Sequence, residues 1–259
     1  MAKILFNHNC ALNSSANIIY DTKTKKEIRQ GSQTECGLLQ FLVDQAVDYN
    51  QIRSVSTELG SVPFSSERKR MTTVVAHPTE ASKVRVYVKG ASEIVLNRCT
   101  HILKRNDEIA LLSQEEREKI LKNVINVYAS QAYRAIGFAY RDMNKEEFEE
   151  KDLENVDDMS FLESELIFVA IAGIQDPLRQ GIEEAVKQCK RSGITVRMVT
   201  GDNIETAKAI SRNAQILTQK DEGQEFSCME GKQFREYVGE IIEETDPKTG
   251  KKVERPREI

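Results

Sequence analysis

The chain has 259 residues, is 39% hydrophobic and carries a formal net charge of −4, enough for one large or two modest domains with an ordinary core. So slight an acidic excess argues against wholesale binding of nucleic acid or anionic membrane, and no apolar stretch approaches the roughly 20 residues of a membrane helix. No secretory signal opens the chain, and five widely spaced cysteines without a CxxC pair suit reduced thiols in a cytosolic setting, not a disulfide framework or zinc site.

Taken in order, Gly31 to Leu39 comes first. Apolar residues at 38, 39, 42, 43, 46 and 47 recur at helical spacing, so Thr34 or Glu35 begins a helix, and the helix dipole favours Glu35 near its start. Thr72 to Val86 reads as a β-hairpin turning at His77 to Ser82, with Met71 opposite Lys89 and Ala76 opposite Val84. Thr72, Val74 and Ala76 then share a core face with Val84, Val86 and Val88, and Met71, Tyr87 and Lys89 share the other. Lys69 has the parity of Met71 if the strand extends that far. Ser113-x-x-Glu116 is a capping box, followed by a buried stripe of Ile120, Leu121, Val124, Ile125 and Tyr128, and a strand runs from Ala135 to Tyr140 with Arg134 at its start.

Asp142 to Glu165 is crowded with acids and reads as a solvated helix and loop leading out of the first domain. Beyond it, the apolar run Leu166 to Ile174, a surface helix over 183–191 and a second apolar run, Thr195 to Val199, predict a parallel βαβ unit. Thr200-Gly201-Asp202 would end its second strand and open a helix from about Ile204 to Asn213, a place suited to phosphate. From Glu243 onward the charged residues, with Pro247, Gly250 and Pro256, read as loop or tail.

The face carrying Met71 and Lys89, with Phe64 and Lys69 just upstream, suits one type of ligand. A base can stack on Phe64, ammonium groups can meet phosphate, and Gly90 permits close backbone approach. Singly, each of these residues is an ordinary surface or core side chain. Together, Phe64-Ser-Ser-Glu-Arg-Lys69-Arg-Met71 and Lys89-Gly90-Ala91 resemble the adenosine pocket of P-type cation-transporting ATPases. Gly31 to Leu39, Asp176-Pro177-Leu178-Arg179 and Thr200-Gly201-Asp202 stand in the family's order. Thr34-Glu-Cys-Gly-Leu-Leu, Lys89-Gly-Ala-Ser-Glu-Ile-Val-Leu and Phe226-Ser-Cys-Met-Glu-Gly are similar to pumps of the plasma-membrane calcium type.

The resemblance covers Leu5 to about Val238. It implies an ATP site, with magnesium in the parent protein, built from Glu35, Phe64, Ser66, Lys69, Met71, Lys89, Gly90 and Arg134. Glu35 would contact the adenine amino group besides its helix-end role, and Arg134 would reach the phosphates unless it is only a surface arginine. At Ser66 reticulum-type pumps place an Arg, so phosphate contact would fall to Lys69, Lys89 and Arg134. Thr200, Gly201 and Asp202 would close on the phosphoryl group, and Asp176, Pro177 and Arg179 would form a hinge.

The implied fold is an α+β nucleotide-binding domain over 1–165, a mostly antiparallel sheet with flanking helices. An incomplete phosphorylation domain, parallel α/β and haloacid-dehalogenase-like, would occupy 166–259. The family's Asp-Lys-Thr-Gly-Thr and Gly-Asp-Gly-x-Asn-Asp motifs are absent, and Asp21-Thr22-Lys23-Thr24 has the wrong order to replace the first. These residues are thus expected to bind ATP without hydrolysing it, as a cytoplasmic part of a membrane pump alongside its membrane and actuator domains. An unfinished parallel sheet would leave an edge open to self-association. Alternatives are a stand-alone adenine-nucleotide-binding module and a haloacid-dehalogenase-like phosphatase. The missing nucleophilic aspartate argues against the latter.

Overall fold

The computed structural model describes residues 1–21, 25–150, 161–175, 178–221, 223–224, 226–239, 241–245 and 252–256. Asp176 and Pro177 of the expected hinge lie outside them. Two units form: Met1–Tyr128 with Tyr133–Asp176, and Ala129–Ala132 with Pro177–Ile259.

The first unit begins with α1 (Ala2–Leu12), the hairpin β1 (Asn17–Asp21) and β2 (Lys26–Gln30), then α2 (Gln33–Asp44) and α3 (Tyr49–Ser54). Strands β3 (Glu58–Val62), β4 (Arg70–Ala76) and β5 (Lys83–Ala91) lead to α4 (Ser92–Arg98), β6 (Cys99–Leu103) and β7 (Ile109–Leu111). Next come α5 (Gln114–Ile120), a π-helical turn over Leu121–Ile125, and α6 (Asn126–Ser130). β8 (Tyr133–Asn144), α7 (Lys145–Glu149) and β9 (Leu166–Gln175) follow. Seven strands make one sheet in the order β3-β4-β5-β8-β9-β6-β7, antiparallel except where β6 meets β9.

The hairpin has the expected register, Met71 opposite Lys89 and Ala76 opposite Val84. Val74, Val84, Val86 and Val88 enter one core with Leu96, Ile125, Leu162 and Phe168. Ala76, expected in that row, is exposed at the strand end. The opposite face is not an open ligand surface along its length. Helices α1 and α2 cover much of it, with Cys10, Ala11, Leu39 and Leu42 packed around Phe138, and Met71 (8% exposed) and Tyr87 (1%) are core residues. Burying a helix against a sheet needs partners for any polar group on its inner side. Asn9 donates to the carbonyls of Val88 and Ala139, and Asn13 to those of Met71 and Tyr87.

The Ser113 capping box is present, and Ile125 is buried. Leu121, expected in the same stripe, is exposed where the π turn widens the spiral. The structure corrects four further expectations. Leu166–Gln175 does not pair with 195–199. As β9 it lies between β8 and β6 within the first unit, so the units part after Asp176 instead of at 165/166. Both sides of β9 are hydrogen-bonded, which removes the open edge expected there. The acidic stretch is not all solvated, because Leu162 and Glu163 are fully buried.

The second unit contains α8 (Ile182–Arg191), α9 (Ile204–Asn213), α10 (Gly231–Val238), β10 (Ile241–Thr245) and β11 (Lys252–Pro256). Its first two helices lie where expected. Thr195 to Val199 forms no strand, and Val199 is 96% exposed. Among the described residues of this unit the strands β10 and β11 pair with each other, so no neighbour offers 195–199 a hydrogen-bonded ladder. Among the described residues, the parallel α/β arrangement expected over 166–259 is therefore not seen. The expected tail contains that hairpin instead, with β-branched Ile241, Ile242, Thr245 and Val253 in its strands. No helix among the described residues is long and apolar enough to cross a membrane.

Candidate functional site

Ser32 caps α2 by accepting from the Glu35 amide, so Glu35 stands in the first turn, where the dipole favours a carboxylate. Its Oε1 accepts from the Lys89 ammonium at 2.9 Å, and its Oε2 accepts from Ser15 (3.2 Å) and Ser32 (3.4 Å). Arg53 secures the loop bearing Ser15 by donating to the carbonyls of Ser14 and Ala16. Glu35 and Lys89 are 8% and 5% exposed. Burial alone would raise the Glu35 carboxyl, but the Lys89 charge and the hydrogen bonds outweigh it and leave it below its ordinary range. Burial also holds the Lys89 ammonium below the ordinary lysine range, against the pull of Glu35. The result is an ionised, acceptor-only carboxylate beside a nearly enclosed cation.

The turn before β4 carries the aromatic group. Phe64 is 59% exposed, unusual for a large apolar ring, and Ser66 and Lys69 are exposed as well. The strand does not extend back to Lys69, whose φ of 54° is left-handed, so its side chain does not continue the Met71 row. The Lys69 amide donates to the Ser65 carbonyl, and the Lys69 carbonyl accepts from Ala91 at 2.9 Å. A Cβ on Gly90 would sit 2.4 Å from that carbonyl oxygen. The close approach that requires glycine here is made by the chain's own turn. Arg134, at the start of β8, is exposed and donates to Thr34 beside Glu35 at 3.2 Å. Glu35 thus meets Lys89, Gly90 meets Lys69, and Arg134 meets the start of α2.

A profile described as "P-type ATPase, cytoplasmic domain N" matches residues 4–181. The chain belongs to this family. It is 41% identical over 221 residues to plasma membrane calcium-transporting ATPase 4 of Bos taurus, covering 83% of this chain and 17% of that protein. To calcium-transporting ATPase PAT1 of Dictyostelium discoideum it is 42% identical over 238 residues, 92% of this chain and 20% of that protein. To plasma membrane calcium-transporting ATPase mca-1 of Caenorhabditis elegans it is 40% identical over 246 residues, 89% and 19% respectively. The chain thus spans about a fifth or less of the length of these relatives.

Within this domain N, reading the sequence missed Glu163. Its 0% exposed carboxylate accepts from Arg68, from Arg70 Nε at 2.6 Å and from Thr72 Oγ1 at 2.6 Å. Its acidic surroundings concealed it; Arg68 and Arg70 in the otherwise telling motif were the available signal. In the second unit, the Thr200 hydroxyl donates to Asp202 at 2.7 Å and accepts from the Asp202 amide, an exposed turn followed by the Asn203 cap of α9. Arg179 is exposed, and its carbonyl accepts from Ile182. Among the described residues no group of three or more His, Cys, Asp or Glu is placed to hold a metal ion.

Proposed function

We propose that the first unit binds adenine nucleotide as the N domain of a calcium-transporting P-type ATPase. The carrying observation is the Glu35–Lys89 pair at one end of the sheet whose β4 entry turn presents Phe64. The base stacks on Phe64, and the ionised Glu35 accepts from the adenine amino group. A carbonyl at that position, as in guanine, would face the same acceptor and be repelled. Lys89 and Lys69 attract the nearer phosphate, and Arg134, whose fork suits phosphate, reaches the farther ones. Met71 and Gly90 shape the floor, and Ser66 lines the turn.

In the whole pump this domain would deliver the γ-phosphoryl group to an aspartate outside these residues. Catalysis would rest on positioning and charge neutralisation. The Thr200-Gly201-Asp202 turn would close on that group, with motion about Asp176, Pro177 and Arg179. Magnesium would accompany the triphosphate in the parent protein. Calcium transport and contact with membrane and actuator domains belong to the same proposal. Titrating the chain with ATP, ADP, AMP and GTP while following amide NMR shifts tests the reading. Shifts at Glu35, Phe64, Lys89 and Arg134 with adenine nucleotides, and weaker ones with GTP, are expected. Equal responses to GTP would remove Glu35 as the base reader, and steady ATP turnover abolished by a pocket mutation would overturn the non-hydrolytic assignment.

A further inference from the structure

We propose that Glu163 is a positioning residue for the base site, holding the turn that presents Phe64; this rests on the nucleotide reading above. A carboxylate with no solvent exposure is costly unless its oxygens are saturated by charged or polar donors. Here two guanidinium groups and a hydroxyl perform that task, from Arg68, Arg70 and Thr72. The donors do not merely neutralise Glu163. Arg68 also reaches back to the carbonyl of Pro63, the residue before Phe64, at 3.4 Å. Its amide donates to Ser65 Oγ at 3.2 Å, and Arg70 donates to the Arg68 carbonyl at 2.9 Å. The turn from Pro63 to Arg70 is therefore tied at both ends to one buried carboxylate.

That arrangement explains how an exposed ring can keep a defined place. Phe64 has little packing of its own, so its direction is set by the backbone beneath it. Through Arg68, Glu163 acts on the carbonyl next to the ring, and through Arg70 on the residue that opens β4. It needs no contact with nucleotide to affect base affinity, because a preorganised platform avoids the ordering cost of binding.

The test is AMP affinity of the full 259-residue chain by NMR titration, with thermal midpoints measured alongside. Glu163→Gln removes the charge, and Arg68→Lys keeps it while removing the second arm to Pro63. Each should weaken AMP about tenfold, within what one base stack contributes. Neither should weaken AMP more than about twofold in a Phe64→Ala background, because the ring they position is gone. If Glu163→Gln does not fold, Arg68→Lys reads the same coupling. A folded Arg68→Lys chain with unchanged AMP affinity, or a loss just as large without Phe64, overturns the proposal. Unfolding by Arg68→Lys also overturns it, making the clamp a folding element. Wild-type chain that fails to bind AMP at all would refute the nucleotide reading itself, and this inference with it.

Discussion

The Lys89 ammonium lies 2.9 Å from the Glu35 carboxylate, tying a central strand to the first turn of α2. Both side chains are withdrawn from water, so removing one strands the other. Lys89→Ala should therefore destabilise the first unit, by about 3 kcal/mol, as for broken buried pairs. Glu35→Gln combined with Lys89→Met should recover most of that loss while still abolishing adenine preference. Urea denaturation of the three chains checks the stabilities, and ATP and GTP titrations of the double variant check the preference. A Lys89→Ala chain as stable as wild type would show that the pair does not hold the fold.

The same pair sets a pH dependence. The folded Glu35 carboxyl lies below its ordinary 4.5, so the unfolded chain binds the extra proton first as pH falls. Its contribution is present above 4.5 and disappears as pH falls through the folded value. Folded Lys89 lies below its ordinary 10.5, so between those values the unfolded chain again holds more protons, and stability from this group rises with pH. The Glu35→Gln, Lys89→Met chain should have a shallower acid limb below 4.5 than wild type. Identical limbs would assign acid unfolding to other carboxylates.

Phe64→Ala separates ligand contact from packing. With the ring 59% exposed, its loss should change stability by under about 0.5 kcal/mol. AMP, ADP and ATP should all weaken by a similar ~1–3 kcal/mol. Unfolding without a separate binding defect would make the ring a packing residue.

In the proposed site, Arg134 would stand at the other end of the ligand. Arg134→Ala should weaken ATP and ADP about threefold to fivefold, leave AMP nearly unchanged, and matter less as salt is added. Equal losses for AMP and ATP would place this arginine at the base or first phosphate.

The cysteines give a test of the fold that needs no ligand. Burial pushes the Cys10 and Cys99 thiols up to about 12, against weaker opposing effects of Lys89 and Arg117. Cys36 is also buried, whereas Cys189 and Cys228 are partly exposed. At pH 7.5, a value chosen as roughly one unit below an ordinary thiol, a thiol reagent should label Cys189 and Cys228 first. Rapid labelling of Cys10 would contradict the packing of α1 on the sheet.

The hairpin and its register were legible because Val74, Val84, Val86 and Val88 alternate about an evident turn, and the α5 start because Ser113 and Glu116 form a local box. The apolar run of β9 announced a strand but not its neighbours, since a continuous apolar run leaves no alternation to betray direction. Thr195 to Val199 had the composition of a strand, but among the described residues no strand pairs with it. In the candidate site, Phe64 and Lys89 were found by residue type, but the Glu35–Lys89 contact joins segments 54 residues apart and no local pattern encodes it. Glu163 was hidden for the opposite reason, a core residue among acids.

Asn9 bonds to carbonyls 79 and 130 residues further along, at Val88 and Ala139. Synthesis at roughly 5–20 residues per second separates the making of Asn9 and Ala139 by about 6–26 s. Throughout that interval α1 has no completed sheet to rest on, and Leu5, Cys10 and Ala11 remain uncovered. Helix α1 is thus made well before the sheet on which it docks. The nascent chain passes through a window in which the turns of α1 are open to chaperones, to proteases or to another copy of itself.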